Sequence, residues 1–109
     1  MADTDLAYLS AGEALALFRE RRLSPVELLE ALIERAEQVE PAVNAFADRY
    51  FDEALEGARA AEQRYAGGGE APRSLEGVPV AVKDDTPIAG KRTSMGSLIF
   101  KDRIDDLYG

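Results

Sequence analysis

Apolar residues recur at helical spacing near the start of the chain and predict a first amphipathic helix. Four of them fall at positions i, i+3, i+4 and i+7 and form one stripe: Ala11, Ala14, Leu15 and Phe18. Ser10 precedes this stripe and Glu13 follows it by three residues, which is the pattern of a capping box. The pattern therefore predicts a helix that begins after Ser10.

The second predicted helix has a stronger start signal, formed by Ser24, Pro25 and Glu27. Ser24 is the expected N-cap, Pro25 takes the first helical position, where its missing N–H is harmless, and Glu27 completes a second capping box. Apolar residues then keep helical spacing: Val26, Leu29, Leu32, Ile33, Ala36 and Val39. Pro41 predicts the end of this helix, because proline lacks the backbone donor that a continuing helix needs.

A third helix is predicted from Phe51 to about Ala66, before three consecutive glycines. Its apolar face is expected to consist of Phe51, Ala54, Leu55, Ala58 and Tyr65. The segment between the second and third helices, residues 43–46, is interpreted as a brief extended stretch.

The pattern changes after the glycines, and the apolar run Val78–Val82 predicts a buried strand. We therefore expect an α/β fold, with a helical half over residues 1–66 and a strand-and-loop half over residues 67–109. A strand that is apolar on both sides expects partner strands and helices that cover it, and these are missing from the sequence. Residues 1–109 are accordingly predicted to be an incomplete, N-terminal portion of a mixed sheet covered by helices, completed by self-association or by a downstream half of the fold.

Composition excludes several classes of function. The chain has 21 acidic and 13 basic residues and a net charge of −8, so we expect neither nucleic acid nor a membrane surface as a partner. It has no cysteine and no histidine, which excludes disulfides, cysteine nucleophiles, the usual zinc sites and Ser-His-Asp triads. We expect no metal and no cofactor. No signal peptide or membrane span is recognisable, so a cytoplasmic location is predicted.

Lys83 is the candidate catalytic residue, because it follows the apolar strand directly. A buried ammonium is costly unless it is paired, and burial favours the neutral amine, which can act as a base. The alternative is that Lys83 lies just beyond the strand and forms a structural ion pair with Asp84 or Asp85. Position along the chain leaves both interpretations open.

Four segments, in order and at natural spacing, resemble the amidase signature family. Residues 75–84 (LEGVPVAVKD, the lysine block) resemble the L-x-G-[VI]-P-[VI]-x-[VI]-K-D pattern of that family. Residues 23–28 resemble its L-S-[PS]-x-E-L helix start, and residues 43–46 its N-A-F segment. Residues 93–97 (TSMGS) resemble its T-[TS]-x-G-S pattern. Together these segments identify the chain as similar to the N-terminal part of an amidase.

The resemblance implies an amide hydrolase that uses a nucleophilic serine, a second serine in a cis peptide, and a lysine. Lys83 matches the lysine that deprotonates the second serine, and a small-molecule amide is the implied substrate. No serine of this chain has the Gly-Ser-rich context of the other two roles, so the chain alone is expected to be inactive. Two alternatives remain: the amidase-like subunit of a tRNA-dependent amidotransferase, which hydrolyses glutamine, and a non-catalytic helical interaction module derived from an amidase.

Overall fold

The computed structural model describes residues 6–109, and the first five residues of the predicted helical half lie outside this range. Within residues 6–109 three helices are defined: α1 (Ala11–Arg19), α2 (Pro25–Val43) and α3 (Phe51–Tyr65). The described chain divides into two compact units, one that ends at Pro79 and one that begins at Val80. All three helices belong to the first unit.

Both predicted capping boxes are confirmed. The Ser10 hydroxyl accepts a hydrogen bond from the Glu13 N–H at 3.0 Å, and the Glu13 carboxylate accepts one from the Ser10 N–H at 2.9 Å. The equivalent bonds between Ser24 and Glu27 are 3.0 and 3.1 Å long. Each cap of this kind contributes about 1 kcal/mol to helix stability, because it satisfies donors that the helix itself cannot.

The predicted end of α2 at Pro41 is wrong, since the helix continues through Pro41 to Val43. A proline in the last turn removes one hydrogen-bond donor, and that local loss does not decide where this helix stops. The helix ends at Asn44, which adopts a left-handed conformation with φ of +50°. Asparagine tolerates that conformation better than most residues, so it suits this C-terminal position.

The Glu40 carboxylate holds the chain as it leaves α2. It accepts hydrogen bonds from the N–H groups of Ala45 at 2.9 Å and Phe46 at 3.1 Å, and it lies 3.3 Å from the Arg49 guanidinium. These bonds, that from Phe46 foremost, lower the pKa of Glu40. Val43 therefore belongs to α2 rather than to the brief extended stretch expected at residues 43–46, and the residues that follow it are bonded to Glu40.

The core of the first unit is formed mainly by residues of the first two helices, together with Leu6 and Leu23. Its buried members are Leu6, Ala14, Leu15, Phe18, Leu23, Leu28 and Ala31. Phe18 is 1% exposed, and its ring centre lies 5.5 Å from that of Tyr65 in α3. The stripe predicted for α1 is buried except for Ala11. In α3 the burial is shifted toward Ala58 and Ala61, since Ala54 is exposed.

The loop after α3 is held by the buried carboxylate of Glu76, whose side chain is 6% exposed. Arg73 donates to it through Nε and a terminal nitrogen, each at 2.9 Å, and an Arg64 nitrogen lies 3.3 Å away. The Tyr65 hydroxyl donates to the Glu76 carbonyl at 2.8 Å. The paired Arg73 guanidinium lowers the pKa of Glu76 to about 2, so the carboxylate is charged throughout the neutral range.

Gly77 approaches α2 so closely that no side chain fits at this position. Its φ is +84°, and a Cβ atom built on it would lie 2.8 Å from Cγ of Pro25 and 2.9 Å from Cβ of Pro25. The glycine of the lysine block and the proline of the helix-start motif are thus in direct contact. Two segments that the sequence places about fifty residues apart meet at this point.

The buried strand predicted at Val78–Val82 is not formed within residues 6–109, and neither is the mixed sheet. The described residues contain a single isolated antiparallel bridge, between Arg92 and Ile104. Val80 is 82% exposed and Val82 is 43% exposed. A strand requires a neighbour to satisfy its backbone groups, and the described part of the chain offers none to this segment.

Candidate functional site

Lys83 lies in the second unit, directly after the exposed residues Val80 and Val82, and it begins a turn. The Lys83 carbonyl accepts a hydrogen bond from the Thr86 N–H at 3.0 Å, which closes a turn over residues 83–86. The Lys83 side chain is 84% exposed, and its Nζ lies 3.5 Å from an Asp85 carboxylate oxygen. Of the two ion pairs considered from the sequence, the one with Asp85 is present in this chain.

Asp84, the next residue, is hydrogen-bonded to the segment at residues 93–97, which resembles the T-[TS]-x-G-S pattern. Its carboxylate accepts hydrogen bonds from both the N–H of Ser94, at 2.9 Å, and the hydroxyl of Ser94. The Asp84 carbonyl accepts a third bond, from the Met95 N–H at 2.9 Å. The hydrogen bonds from Ser94 lower the pKa of Asp84, because they stabilise the charged carboxylate.

The motif at residues 93–97 forms a tight turn, which we call the serine turn. The Ser97 N–H donates to the Ser94 carbonyl at 2.9 Å, and both central residues have positive φ: +55° at Met95 and +70° at Gly96. Positive φ at both central positions is the pattern of a type I′ turn, in which glycine is favoured. The conformation of the turn thus explains why the T-[TS]-x-G-S pattern has glycine at its fourth position.

A short antiparallel pairing supports the serine turn from behind. The Thr93 N–H donates to the Arg103 carbonyl at 2.9 Å, next to the Arg92–Ile104 bridge, and the Gly90 N–H donates to the Asp105 carbonyl at 2.7 Å. Thr93 is 1% exposed and Ser94 is 7% exposed. The start of the serine turn is therefore buried and fixed, whereas Met95 and Gly96 at its tip are exposed.

This arrangement supplies an amine and no nucleophile directed at it. The hydroxyl of Ser94 is bonded to the Asp84 carboxylate rather than to the Lys83 amine, and the Ser97 hydroxyl accepts from the Ile99 N–H at 3.1 Å. Within residues 6–109, no group of three or more acidic side chains is placed to hold a metal ion. A lysine amine is a group that can transfer protons, and in this arrangement neither the Ser94 nor the Ser97 hydroxyl is bonded to it.

Sequence reasoning singled out Lys83 and missed the contact between Asp84 and Ser94. The available signal was that both residues stand inside segments that resemble family patterns, ten positions apart. Sequence spacing alone does not reveal that the two segments touch. None of the helices in the described part of the chain combines the length and the apolar character needed to cross a bilayer.

Comparison with known proteins gives the family. A sequence model of the Amidase family matches residues 27–107, which include the lysine block and the serine turn. The chain therefore belongs to the amidase family, and the resemblance seen in its motifs is confirmed.

Individual relatives agree with this assignment. One is a subunit of the glutamyl-tRNA(Gln) amidotransferase of Carboxydothermus hydrogenoformans, which is 38% identical over 100 residues, or 92% of this chain and 20% of that protein. Another is the putative amidase AmiB2 of Mycobacterium bovis, which is 38% identical over 97 residues, or 89% of this chain and 21% of that protein.

A solved structure is similar as well. It is that of a bacterial aryl acylamidase of the amidase signature family, with a TM-score of 0.82 and 32% identity over 93% of this chain and 21% of the other. The chain thus spans about a fifth of the length of these relatives.

Proposed function

We propose that this chain provides the lysine-bearing N-terminal portion of an amidase, an enzyme that hydrolyses a carboxylic amide C–N bond. The observation that carries the proposal is the position of Lys83 at the end of the lysine block, inside the family match over residues 27–107. The exposure of the Lys83 side chain is compatible with this role, because an amine open on most sides can receive a partner hydroxyl.

In the proposed mechanism the neutral Lys83 amine accepts the proton of a serine hydroxyl, and that serine in turn takes the proton of the nucleophilic serine. The nucleophile adds to the amide carbonyl, and the proton passes to the nitrogen of the departing amine. Water then cleaves the acyl-serine. Both serines come from outside residues 1–109, and the ion pair between Lys83 and Asp85 has to open before the amine acts.

The chain by itself is expected to be inactive. Residues that act as a catalytic unit lose nearly all of their effect when one member is removed. The acidic, cysteine-free composition and the small-molecule amides implied by the family favour a cytoplasmic enzyme with no nucleic acid or membrane partner.

The test is a chimera in which this chain replaces the matching fifth of the aryl acylamidase. If Lys83 is the base, Lys83→Arg lowers kcat by about two to four orders of magnitude, because a guanidinium keeps a positive charge and does not accept a proton. Lys101→Arg, a change at an exposed lysine in the same unit, is the matched control and leaves kcat unchanged. Near-normal turnover by the Lys83→Arg chimera contradicts the proposal.

A second candidate is favoured by the relative that is named as part of a glutamyl-tRNA(Gln) amidotransferase. In this alternative the complete protein releases ammonia from glutamine, and Lys83 keeps the same role. Reading the gene downstream of codon 109 and assaying its complete product with glutamine and with an aryl amide separates the two. If the sequence after codon 109 encodes no Gly-Ser-rich segment, that result favours the other alternative, a non-catalytic interaction module.

A further inference from the structure

Lys83 is supported by hydrogen bonds on only one side along the chain. On its N-terminal side, Val80 and Val82 are exposed and belong to no strand. On its C-terminal side, the Lys83 carbonyl is bonded to the Thr86 N–H, and Asp84 is bonded to the serine turn. The backbone at Lys83 is therefore held from its C-terminal side, by the bond to Thr86 and by the bonds that hold Asp84.

Asp84 is held at two points, through its carboxylate and through its main chain. The carboxylate takes both the N–H and the hydroxyl of Ser94, and the carbonyl takes the N–H of Met95. Hydrogen bonds to a charged carboxylate are roughly twice as strong as those between neutral groups. Ser94 is itself buried and sits next to the bridged pair Arg92–Ile104, so the anchor is rigid.

We infer that Asp84 and Ser94 form a clamp that fixes the backbone at Lys83 and thereby positions the lysine amine for proton transfer. This inference rests on the proposed function, and it assigns to both residues a positioning role. The lysine side chain is long and flexible, so a displaced backbone misplaces its amine by an ångström or more. A displacement of that size lowers rate by about 10²-fold where proximity matters.

Two substitutions at Ser94 separate the clamp from ordinary packing. Ser94→Ala removes the hydroxyl donor, whereas Ser94→Thr keeps it, and the family pattern T-[TS]-x-G-S accepts threonine at this position. Ser97→Ala is the matched control, because Ser97 belongs to the same turn and its hydroxyl bonds to the Ile99 N–H instead of to Asp84.

The first measurement is made on the 109-residue chain by ¹⁵N relaxation. In the unchanged chain the backbone order parameter at Lys83 is expected near the rigid value of about 0.85, and Ser94→Ala is expected to lower it below about 0.6. In Ser94→Thr, which keeps the hydroxyl, and in Ser97→Ala, the order parameter at Lys83 is expected to stay as high as in the unchanged chain. An order parameter at Lys83 that Ser94→Ala does not change overturns the clamp.

The second measurement uses the aryl acylamidase chimera. Ser94→Ala is expected to lower kcat by about 10- to 100-fold with little change in KM, and Ser94→Thr to recover most of the loss. Unchanged kcat in an active Ser94→Ala chimera overturns the positioning role. If the chimera without any substitution is inactive, that result counts against the proposed function instead. The order parameters then decide whether the clamp exists.

Discussion

The contact between Gly77 and Pro25 predicts that one added methyl group disrupts the first unit. In Gly77→Ala the new Cβ would lie 2.8 Å from Pro25 Cγ, and the residue would keep a φ of +84°. A left-handed conformation costs an alanine about 1–2 kcal/mol, and overpacking of this kind costs about 1–3 kcal/mol more. Pro25 has a rigid ring at the start of α2, so it does not move aside at low cost.

Gly57 offers the same substitution in an open setting. It lies within α3, and a Cβ at this position has no atom within 4 Å. Gly57→Ala is therefore expected to stabilise the first unit by about 0.5–1 kcal/mol, because alanine is the better helix former. The two variants change stability in opposite directions although the chemical change is identical.

Urea unfolding followed by far-ultraviolet circular dichroism measures both effects, since all three helices belong to this unit. We expect the free energy of unfolding to fall by about 2–5 kcal/mol in Gly77→Ala, the sum of the two costs. A Gly77→Ala chain as stable as the unchanged chain would refute the reasoning that joins the lysine block to the helix start.

Three further predictions follow from buried charge, exposed apolar surface and missing serines. Because the pKa of Glu76 is about 2 in the folded chain and 4.5 is its reference value, Glu76 contributes about 3 kcal/mol of stability that is present above pH 4.5 and lost as pH falls toward 2. The stability difference between the unchanged chain and Glu76→Gln, measured by urea unfolding, should therefore shrink over that range; a constant difference contradicts it. Leu98 and Ile99 are 87% and 86% exposed, so the chain should bind a hydrophobic dye or self-associate, and Leu98→Gln should weaken this. A monodisperse monomer that binds no dye would contradict this prediction. The 109-residue chain should not hydrolyse simple amides or esters, and turnover abolished by Lys83→Ala would show that a nucleophile is present after all.

Features decided by a few neighbouring residues were predictable from the sequence. Ser10 with Glu13 and Ser24 with Glu27 satisfy donors within one helical turn, so their spacing along the chain is also their spacing in space. The end of α2 was not predictable in this way. The Glu40 carboxylate accepts hydrogen bonds from N–H groups that follow the helix, whereas Pro41 by itself predicts that the helix ends earlier.

Whether a feature of this chain can be predicted from the sequence depends on whether neighbouring or distant residues form it. An apolar run such as residues 78–82 has strand propensity, but pairing is a contact between distant segments, and the described residues contain no partner for it. Lys83 could be proposed as a candidate from the sequence because its motif is local. The contact between Asp84 and Ser94 could not be predicted in this way, because it joins residues ten positions apart.

Chemical rescue of Lys83→Ala in the aryl acylamidase chimera tests most directly the claim that the Lys83 amine is a base. Removing the side chain leaves a space in which a small alkylamine can take the proton of the serine hydroxyl. We expect the lost activity to return in proportion to the concentration of free amine, with no rescue by guanidinium, which does not accept a proton at neutral pH. A Lys83→Ala chimera that turns over amide at the unchanged rate, with or without amine, would contradict the account.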